Sequence, residues 1–150
     1  MGGWRVRELG HRQDARTPRG PHEPSAAEDR VGRAIVHAAF VVHRELGPGL
    51  LESIYEACFC HELGKAGVEC RRQVSVPLVY DGLRFEEGLR VDVLVAGLVI
   101  CELKSAEKII PVHRAALLSQ LRLTGRTLGF LINFHVPMIR DGIERFVRSR

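Results

Sequence analysis

Residues Arg90–Glu107 read RVDVLVAGLVICELKSAE. Apolar, mostly β-branched residues fill both halves of this stretch, and an Ala-Gly pair separates them, which predicts two antiparallel β-strands joined by a short turn. Three charged residues interrupt the pattern: Asp92 in the first strand, and Glu102 and Lys104 in the second. Residues two apart on a strand share a face, so Glu102 and Lys104 project together. A charge in an apolar strand is costly unless it is paired or binds a metal, so these residues indicate a function.

The length of the turn decides where Asp92 points. A two-residue turn would put Asp92 on the other face from Glu102, whereas a three-residue loop over residues 96–98 pairs Val95 with Val99 and sets Asp92 directly across from Glu102. We predict the three-residue loop, or a bulge with the same effect, because such hairpins are common and glycine supplies the dihedral angles they need. Two carboxylates then converge beside a lysine. Such a set binds Mg2+ together with water and substrate phosphate, and it suits phosphodiester hydrolysis.

A second motif lies upstream, where residues 49–55 read GLLESIY and give the pattern G-x-x-E-x-x-Y. In order along the chain follow Asp92, the E-x-K triplet, an L-x-L-T-G segment and an L-I-N-F segment. Over residues 28–147 this ordered set resembles the small bacterial GxxExxY proteins of the PD-(D/E)XK nuclease superfamily. The resemblance implies an α+β fold with a restriction-endonuclease-like core: helix, three- to four-strand meander, helix, strand.

Apolar spacing in the rest of the chain predicts a compatible order of elements. Helical periodicity covers four segments, residues 29–46, 50–63, 112–123 and, as a short closing helix, 138–147. Strand patterns cover residues 69–80, 83–87 with a break at Gly88, the hairpin, and the almost wholly apolar run 127–133. On the third helix the side predicted to pack holds Val112, Ala115, Ala116, Leu118, Leu121 and Arg122. Helices around a mainly antiparallel sheet give an α+β fold.

The second helix carries a further charged residue on its apolar side. Glu52 falls inside the predicted apolar face, and Glu56 lies at the edge of that face, one turn later. Two interpretations are open for Glu52: a partly exposed glutamate that the helix dipole favours near a helix start, or an active-site residue that Glu56 supports. Tyr55 is expected to pack in the core while its hydroxyl group finds a polar partner.

The resemblance implies a catalytic set of Glu52, Asp92, Glu102 and Lys104. The metal, Mg2+ or Mn2+, would bind to Asp92, to Glu102 and to the backbone carbonyl of Leu103, and Glu52 would bind it directly or through a water. Lys104 would position or deprotonate the attacking water and offset the charge on the phosphate. The metal would lower the pKa of that water.

The third helix departs from the family pattern. The family carries a glutamine and a tyrosine four residues apart, and Ala116 and Gln120 occupy those positions here. His113 matches the pattern, either as a residue lining the cleft or as a structural histidine, and Gln120 is retained as a supporting residue. This departure keeps a second function open: a catalytically inactive nuclease-fold module that binds nucleic acid or a partner protein.

Composition sets the wider expectations. The 150 residues predict one domain over residues 28–150, preceded by a disordered tail over residues 1–27 that is rich in proline, glycine and scattered charges. The net charge of +4 is compatible with nucleic acid as partner, DNA or RNA. The sequence shows neither an apolar run of transmembrane length nor a signal peptide, which predicts a cytoplasmic protein without a membrane partner. Its four cysteines are therefore expected to be reduced thiols. A chain of 16.8 kDa is also compatible with a homodimer that reaches two strands.

Overall fold

The computed structural model describes residues 8–9 and 23–148. Its helices are α1 (Ala26–Leu46), α2 (Glu52–Lys65) and α3 (Pro111–Thr124), with a 3-10 helix over Ile139–Gly142. Its strands are β1 (Glu8–Leu9), β2 (Cys70–Tyr80), β3 (Leu83–Val95), β4 (Val99–Lys104), β5 (Leu128–Asn133) and β6 (Ile143–Val147). Most of the tail predicted over residues 1–27 lies outside the described residues, and α1 begins inside that range.

The described strands form one six-stranded sheet in chain order, β1 to β6. The pairs β2–β3, β3–β4 and β5–β6 are antiparallel, and β4–β5 is parallel. A parallel pair needs a crossover connection, and α3 supplies it between β4 and β5. The arrangement confirms the predicted α+β fold with a restriction-endonuclease-like core.

Two apolar clusters hold the helices to opposite faces of the sheet. On one face α1 and α2 bury Ile35, Val42, Tyr55 and Phe59 against strand residues that include Val93, Cys101 and Phe130. On the other face α3 buries Leu117 and Leu121 against Val91, Leu94, Ile100 and Leu131. The parts of β3 and β4 that carry Asp92 and Glu102 therefore lie between two helical layers, where a charged side chain is partly shielded from water.

The predicted closing helix over residues 138–147 is wrong. Only Ile139–Gly142 turns, as a 3-10 helix, and residues 143–147 form β6 against β5. A helix there would leave one edge of the buried strand β5 without backbone partners, whereas an added strand pairs that edge. Gly142 contributes because a Cβ at this position would collide with the backbone carbonyl of Asn133.

Two further predictions need correction. β3 does not break at Gly88 but runs unbroken through it, because the missing side chain lets Leu78 lie across the strand. The buried residues of α3 are Leu117, Gln120, Leu121 and Thr124, whereas the predicted members Val112, Ala116 and Leu118 are exposed. The crossover therefore turns Gln120 toward the sheet.

Candidate active site

The β3–β4 hairpin has the predicted three-residue loop. Val95 pairs with Val99, and the Leu98 N–H group donates to the Val95 carbonyl at 3.0 Å. Ala96 and Gly97 both adopt positive φ angles, 53° and 65°. Beyond the loop the ladder continues to the pair Val93 and Cys101. The next position along each strand holds Asp92 and Glu102.

Asp92 ends the β3–β4 ladder with its own side chain. Its Oδ2 atom accepts a hydrogen bond from the backbone N–H group of Leu103 at 3.0 Å. The carboxylate thus satisfies a strand donor that a carbonyl group of β3 would otherwise satisfy. Asp92 is therefore fixed between β3 and β4, next to the base of the Glu102 side chain.

The β2 side of Asp92 is irregular as well. The pairs Arg72–Val93 and Val74–Val91 flank a missing pair between Gln73 and Asp92, and Gln73 has a φ angle of 50°. Val91 and Val93 belong to opposite clusters, although residues two apart on a regular strand share a face. The two strands therefore rotate at Gln73 and Asp92. The sequence pattern carried no sign of this rotation.

Glu102 projects toward α3 and has two polar partners, Lys104 on its own strand and Gln120 on α3. Its Oε1 atom lies 3.4 Å from the Nζ atom of Lys104, and its Oε2 atom accepts a hydrogen bond from the Nε2 atom of Gln120 at 3.2 Å. The side chains of Glu102 and Lys104 are 12% and 24% exposed, so this pair is screened from bulk water. The Oε1 atom of Gln120 is buried without a hydrogen-bond partner among the described residues. Next to the carboxylates there is thus one acceptor that a water or a ligand hydrogen can satisfy.

Burial and the neighbouring carboxylate of Glu102 raise the pKa of Asp92 to about 6, although the Leu103 N–H group and Lys104 act against the shift. Two carboxylates in one half-buried site repel each other when both are ionised. A cation bound between them would offset this repulsion.

Glu52 is the first residue of α2 and faces the same end of the hairpin. Partial burial of its carboxyl group raises its pKa, Lys104 lowers it, and Asp92 raises it further. These interactions place Glu52 within electrostatic reach of the Asp92 site. The residue as a whole is exposed, however, so the prediction that it falls inside the buried face of α2 is wrong.

Tyr55 holds the loop that leads into Glu52. Its hydroxyl group donates to the Gly47 carbonyl at 2.5 Å and accepts from the Leu50 N–H group at 3.1 Å. Its ring is fully buried and stacks on Phe134 with the centroids 4.6 Å apart. The expected core packing of Tyr55, with a polar partner for its hydroxyl group, is confirmed. These contacts hold the loop before α2 and so fix where the helix begins.

Ser105 and Asn133 fix the segment that follows β4, Ser105 by a bond to the same loop and Asn133 by bonds from the end of β5, and sequence reasoning missed both. Ser105 donates through Oγ to the Leu50 carbonyl at 2.9 Å. Asn133 accepts from the Ala106 N–H group at 3.1 Å and donates to the Ala106 carbonyl at 2.8 Å. The segment after Lys104 is thereby fixed on two sides. The only sequence signal was an asparagine at the end of the apolar run that forms β5.

Glu56 is buried, not at the edge of the α2 face as predicted. Both of its oxygens are engaged: Oε1 accepts from the Nε atom of Arg72 at 2.9 Å, and Oε2 accepts from the Nε2 atom of Gln73 at 2.8 Å. With both oxygens occupied, Glu56 holds the irregular part of β2 in place. It supports Asp92 by fixing Gln73 beside it.

His113 stands in the first turn of α3. Its Nδ1 atom accepts a hydrogen bond from the Ile110 N–H group at 3.2 Å, which satisfies a donor at the helix start. His113 also acts electrostatically on Glu52, where it lowers the pKa. His113 therefore has both expected properties: it stabilises the start of α3, and it lies near enough to Glu52 to affect that carboxylate.

The donors at this end of the hairpin fit a hard divalent cation. Among the described residues, no three His, Cys, Asp or Glu side chains lie close enough to hold a metal by themselves. Two carboxylates remain, and sites of this size are typical for Mg2+, which keeps several waters and shares its shell with substrate phosphate. A cavity of about 570 Å³ lies away from these residues, between α1 and strands β5 and β6.

Residues 29–146 match the family model of the PD-(D/E)XK nuclease superfamily. No curated protein and no solved structure matches the chain. No helix within the described residues is long and apolar enough to cross a membrane.

Proposed function

Because the chain belongs to the PD-(D/E)XK nuclease superfamily, we propose that it is a metal-dependent nuclease of the GxxExxY type that hydrolyses phosphodiester bonds in nucleic acid. One observation carries the proposal: Asp92, Glu102 and Lys104 meet where the β3–β4 ladder ends. A domain that only binds nucleic acid has no need to hold two carboxylates together in a shielded place, where their repulsion costs stability.

Asp92, Glu102 and the Leu103 carbonyl are the proposed ligands of Mg2+ or Mn2+. Glu52 is proposed to join them through a water, because it does not lie close enough to complete a three-carboxylate site. The Leu103 N–H bond to Asp92 orients one carboxylate without occupying its other oxygen. When bound, the metal would lower the pKa of a water and neutralise charge on the phosphate.

Lys104 is the proposed partner of the attacking water and of the phosphate. Its Nζ atom is held 3.4 Å from Oε1 of Glu102, so the ammonium group is already placed at the carboxylates. From there Nζ can donate to the water or to a phosphate oxygen. Lysine suits this role because its charge is compact and its donors rotate freely.

Gln120 is the proposed orienting residue for Glu102. In the superfamily pattern a glutamine stands four residues earlier, where this chain has Ala116, and Ala116 is exposed. Gln120 instead reaches Glu102 from the buried side of α3, with Nε2 bound to the carboxylate and Oε1 free to accept a hydrogen bond from a water. This contact puts a glutamine beside Glu102, one helical turn later than the glutamine of the family pattern.

A cleavage assay tests the proposal. Wild-type protein, Lys104→Ala and the control Lys108→Ala are incubated with single- and double-stranded DNA and RNA in Mg2+, in Mn2+ or in EDTA. Lys108 is exposed and lies past the end of β4, so its loss controls for overall charge. We expect metal-dependent cleavage by wild type and by Lys108→Ala, and a loss of about 10²–10⁴-fold in Lys104→Ala.

Absence of cleavage of all four substrates, together with binding of one of them, would instead identify an inactive nucleic-acid-binding module. Equal cleavage by Lys104→Ala and wild type would remove Lys104 from the site.

A further inference from the structure

Two cysteine sulfurs lie side by side at the far end of α2. Cys60 stands on the helix, Cys70 is the first residue of β2, and their Sγ atoms are 2.7 Å apart. Both residues are half-buried, so small reagents can reach them, whereas Cys101 is fully buried. The two positions are ten residues apart in the chain and form no C-x-x-C motif, so the spacing of the cysteines does not predict the pair.

We propose that Cys60 and Cys70 are a redox modification site, at which a small-molecule disulfide oxidises the two thiols to a reversible intramolecular disulfide. The sulfur separation exceeds a disulfide bond of about 2.05 Å by only about 0.7 Å, so bond formation needs little movement of α2 or β2. The proposal concerns a different part of the molecule from the Asp92 site and stands whether or not the protein is a nuclease.

The surroundings of the two thiols shift their pKa values in opposite directions, so one thiol should attack the oxidant and the other should complete the disulfide. The hydrogen bond from the Cys70 thiol lowers the pKa of Cys60, burial acts against this, and Arg72 lowers it further. The same hydrogen bond and burial raise the pKa of Cys70. Of the two thiols Cys60 therefore ionises more readily, and the thiolate is the nucleophile in disulfide exchange.

The exchange balances with glutathione disulfide as oxidant. The Cys60 thiolate attacks one sulfur of glutathione disulfide, whose S–S bond breaks to release one glutathione thiolate, and a mixed disulfide forms on Cys60. That thiolate or a water takes the proton from Cys70. The Cys70 sulfur then attacks the Cys60 sulfur and displaces the second glutathione as a thiolate, which takes up from water the proton that Cys60 lost when it ionised. Two electrons pass from the cysteine pair to glutathione disulfide, which becomes two thiols.

The bond would fix α2 to β2 next to the hydrogen bonds that Glu56 accepts from Arg72 and Gln73. Glu52, Glu56 and Cys60 follow one another at intervals of four residues along α2, and Arg72 and Gln73 follow Cys70 by two and three residues. The same helix side thus reaches the Asp92 site at one end and the thiol pair at the other. Closing this short loop also restricts the unfolded chain, which stabilises the oxidised protein.

The test treats the folded, reduced full-length protein with glutathione disulfide, unfolds it in urea so that buried Cys101 also reacts, blocks the free thiols with iodoacetamide and measures intact mass and tryptic peptides. Cys70 lies alone in the peptide over residues 66–71, but Cys58 and Cys60 share the peptide over residues 45–65. Cys58→Ser is therefore the matched control. Cys58 is also half-buried and lies two residues away on the same helix.

We expect wild type and Cys58→Ser each to lose two alkylatable thiols and to yield the 45–65 peptide linked to the 66–71 peptide. Cys70→Ser should stop at a glutathione adduct on Cys60, and dithiothreitol should restore all thiols. The oxidised protein should unfold at a higher urea concentration than the reduced protein.

Four alkylatable thiols in the treated wild type would overturn the proposal. So would a disulfide through Cys58 or Cys101, or retention of the 45–65 to 66–71 link in Cys60→Ser. As a reference, the same oxidation is carried out on the urea-unfolded chain and its disulfides are mapped. We expect the preference for the Cys60–Cys70 disulfide to disappear there, and its persistence would contradict a pairing set by the fold.

Discussion

The two ends of the β3–β4 hairpin are built from the same pair of strands but by opposite means. At the turn, Val93, Val95 and Val99 pair in a regular ladder and are fully buried. At the open end the ladder stops, and Asp92, Glu102 and Lys104 replace apolar residues. The turn end stabilises the hairpin, and this stability allows two repelling carboxylates to be held at the open end.

The largest predicted difference between the two ends is in activity. Glu102→Gln should reduce phosphodiester cleavage by about 10³-fold or more, because it removes a metal ligand and a charge partner of Lys104. Val95→Ala, at the turn end, should stay within about tenfold of wild type, measured well below its melting temperature. If Val95→Ala lost as much cleavage activity as Glu102→Gln, activity would not depend mainly on the open end of the hairpin.

For stability, the substitution at the turn end should have the larger effect. Val95→Ala should lower the free energy of unfolding by about 2 kcal/mol, since it leaves a cavity among fully buried side chains. Glu102→Gln should lower it by less than about 1 kcal/mol, because an uncharged amide keeps a hydrogen bond to Gln120 and relieves the repulsion by Asp92. Urea unfolding in EDTA measures both variants.

Asp92 should make the stability of the metal-free protein depend on pH. Its pKa in the folded protein, about 6, lies above the ordinary value of 3.8, so the folded state binds the proton more tightly than the unfolded state. The contribution of Asp92 is therefore most favourable below about pH 4 and is lost as the pH rises through about 6.

Asp92→Asn cannot titrate but keeps an oxygen for the Leu103 N–H group. Relative to this variant, wild type should lose about 1–2 kcal/mol of stability between pH 4 and pH 7.5 in EDTA, a value reduced for solvent screening. Urea unfolding at the two pH values measures it, and parallel pH profiles of the two proteins would show that Asp92 titrates normally.

The smallest effects come from two residues with positive φ angles, one near each end. Ala96 lies in the turn with a φ angle of 53°, and Gln73 lies beside Asp92 with a φ angle of 50°. Ala96→Gly should raise stability by about 0.5 kcal/mol, since it relieves a left-handed conformation and removes little else. Gln73→Gly relieves the same strain but removes a hydrogen bond to buried Glu56, so it should lower stability by about 1 kcal/mol. Stabilisation by Gln73→Gly would mean that the contact with Glu56 contributes little.

The sequence predicted the turn end better than the open end, and the reason is physical. Strand alternation and one glycine suffice to set the loop over residues 96–98, because both act within a few residues. The rotation at Gln73 and Asp92 depends on Glu56, which comes from another element. A helical wheel for α2 gives the period of apolar residues but not their neighbours, so it placed Glu52 inside and Glu56 at the edge, the reverse of what is found.

The C-terminal segment and α3 show the same limit. The spacing of Ile139, Ile143, Phe146 and Val147 satisfies a helical period, but the free edge of β5 decides in favour of a strand. In the sequence, Gln120 is a departure from the family pattern within a single helix. Its contact with Glu102 depends on how the crossover orients α3 against the sheet, which the helix sequence alone does not determine.

Calorimetric titration of Mn2+ into wild type and Asp92→Ala tests whether the hairpin carboxylates hold a metal. Asp92 is held by the backbone of β4, so we predict one Mn2+ site in the wild type, with an affinity that rises as the pH passes about 6. We expect Asp92→Ala, folded by circular dichroism, to lose this site. Equal binding by both proteins, or no binding by the wild type at pH 7.5 even with nucleic acid present, would contradict a metal-dependent site at the open end of the hairpin.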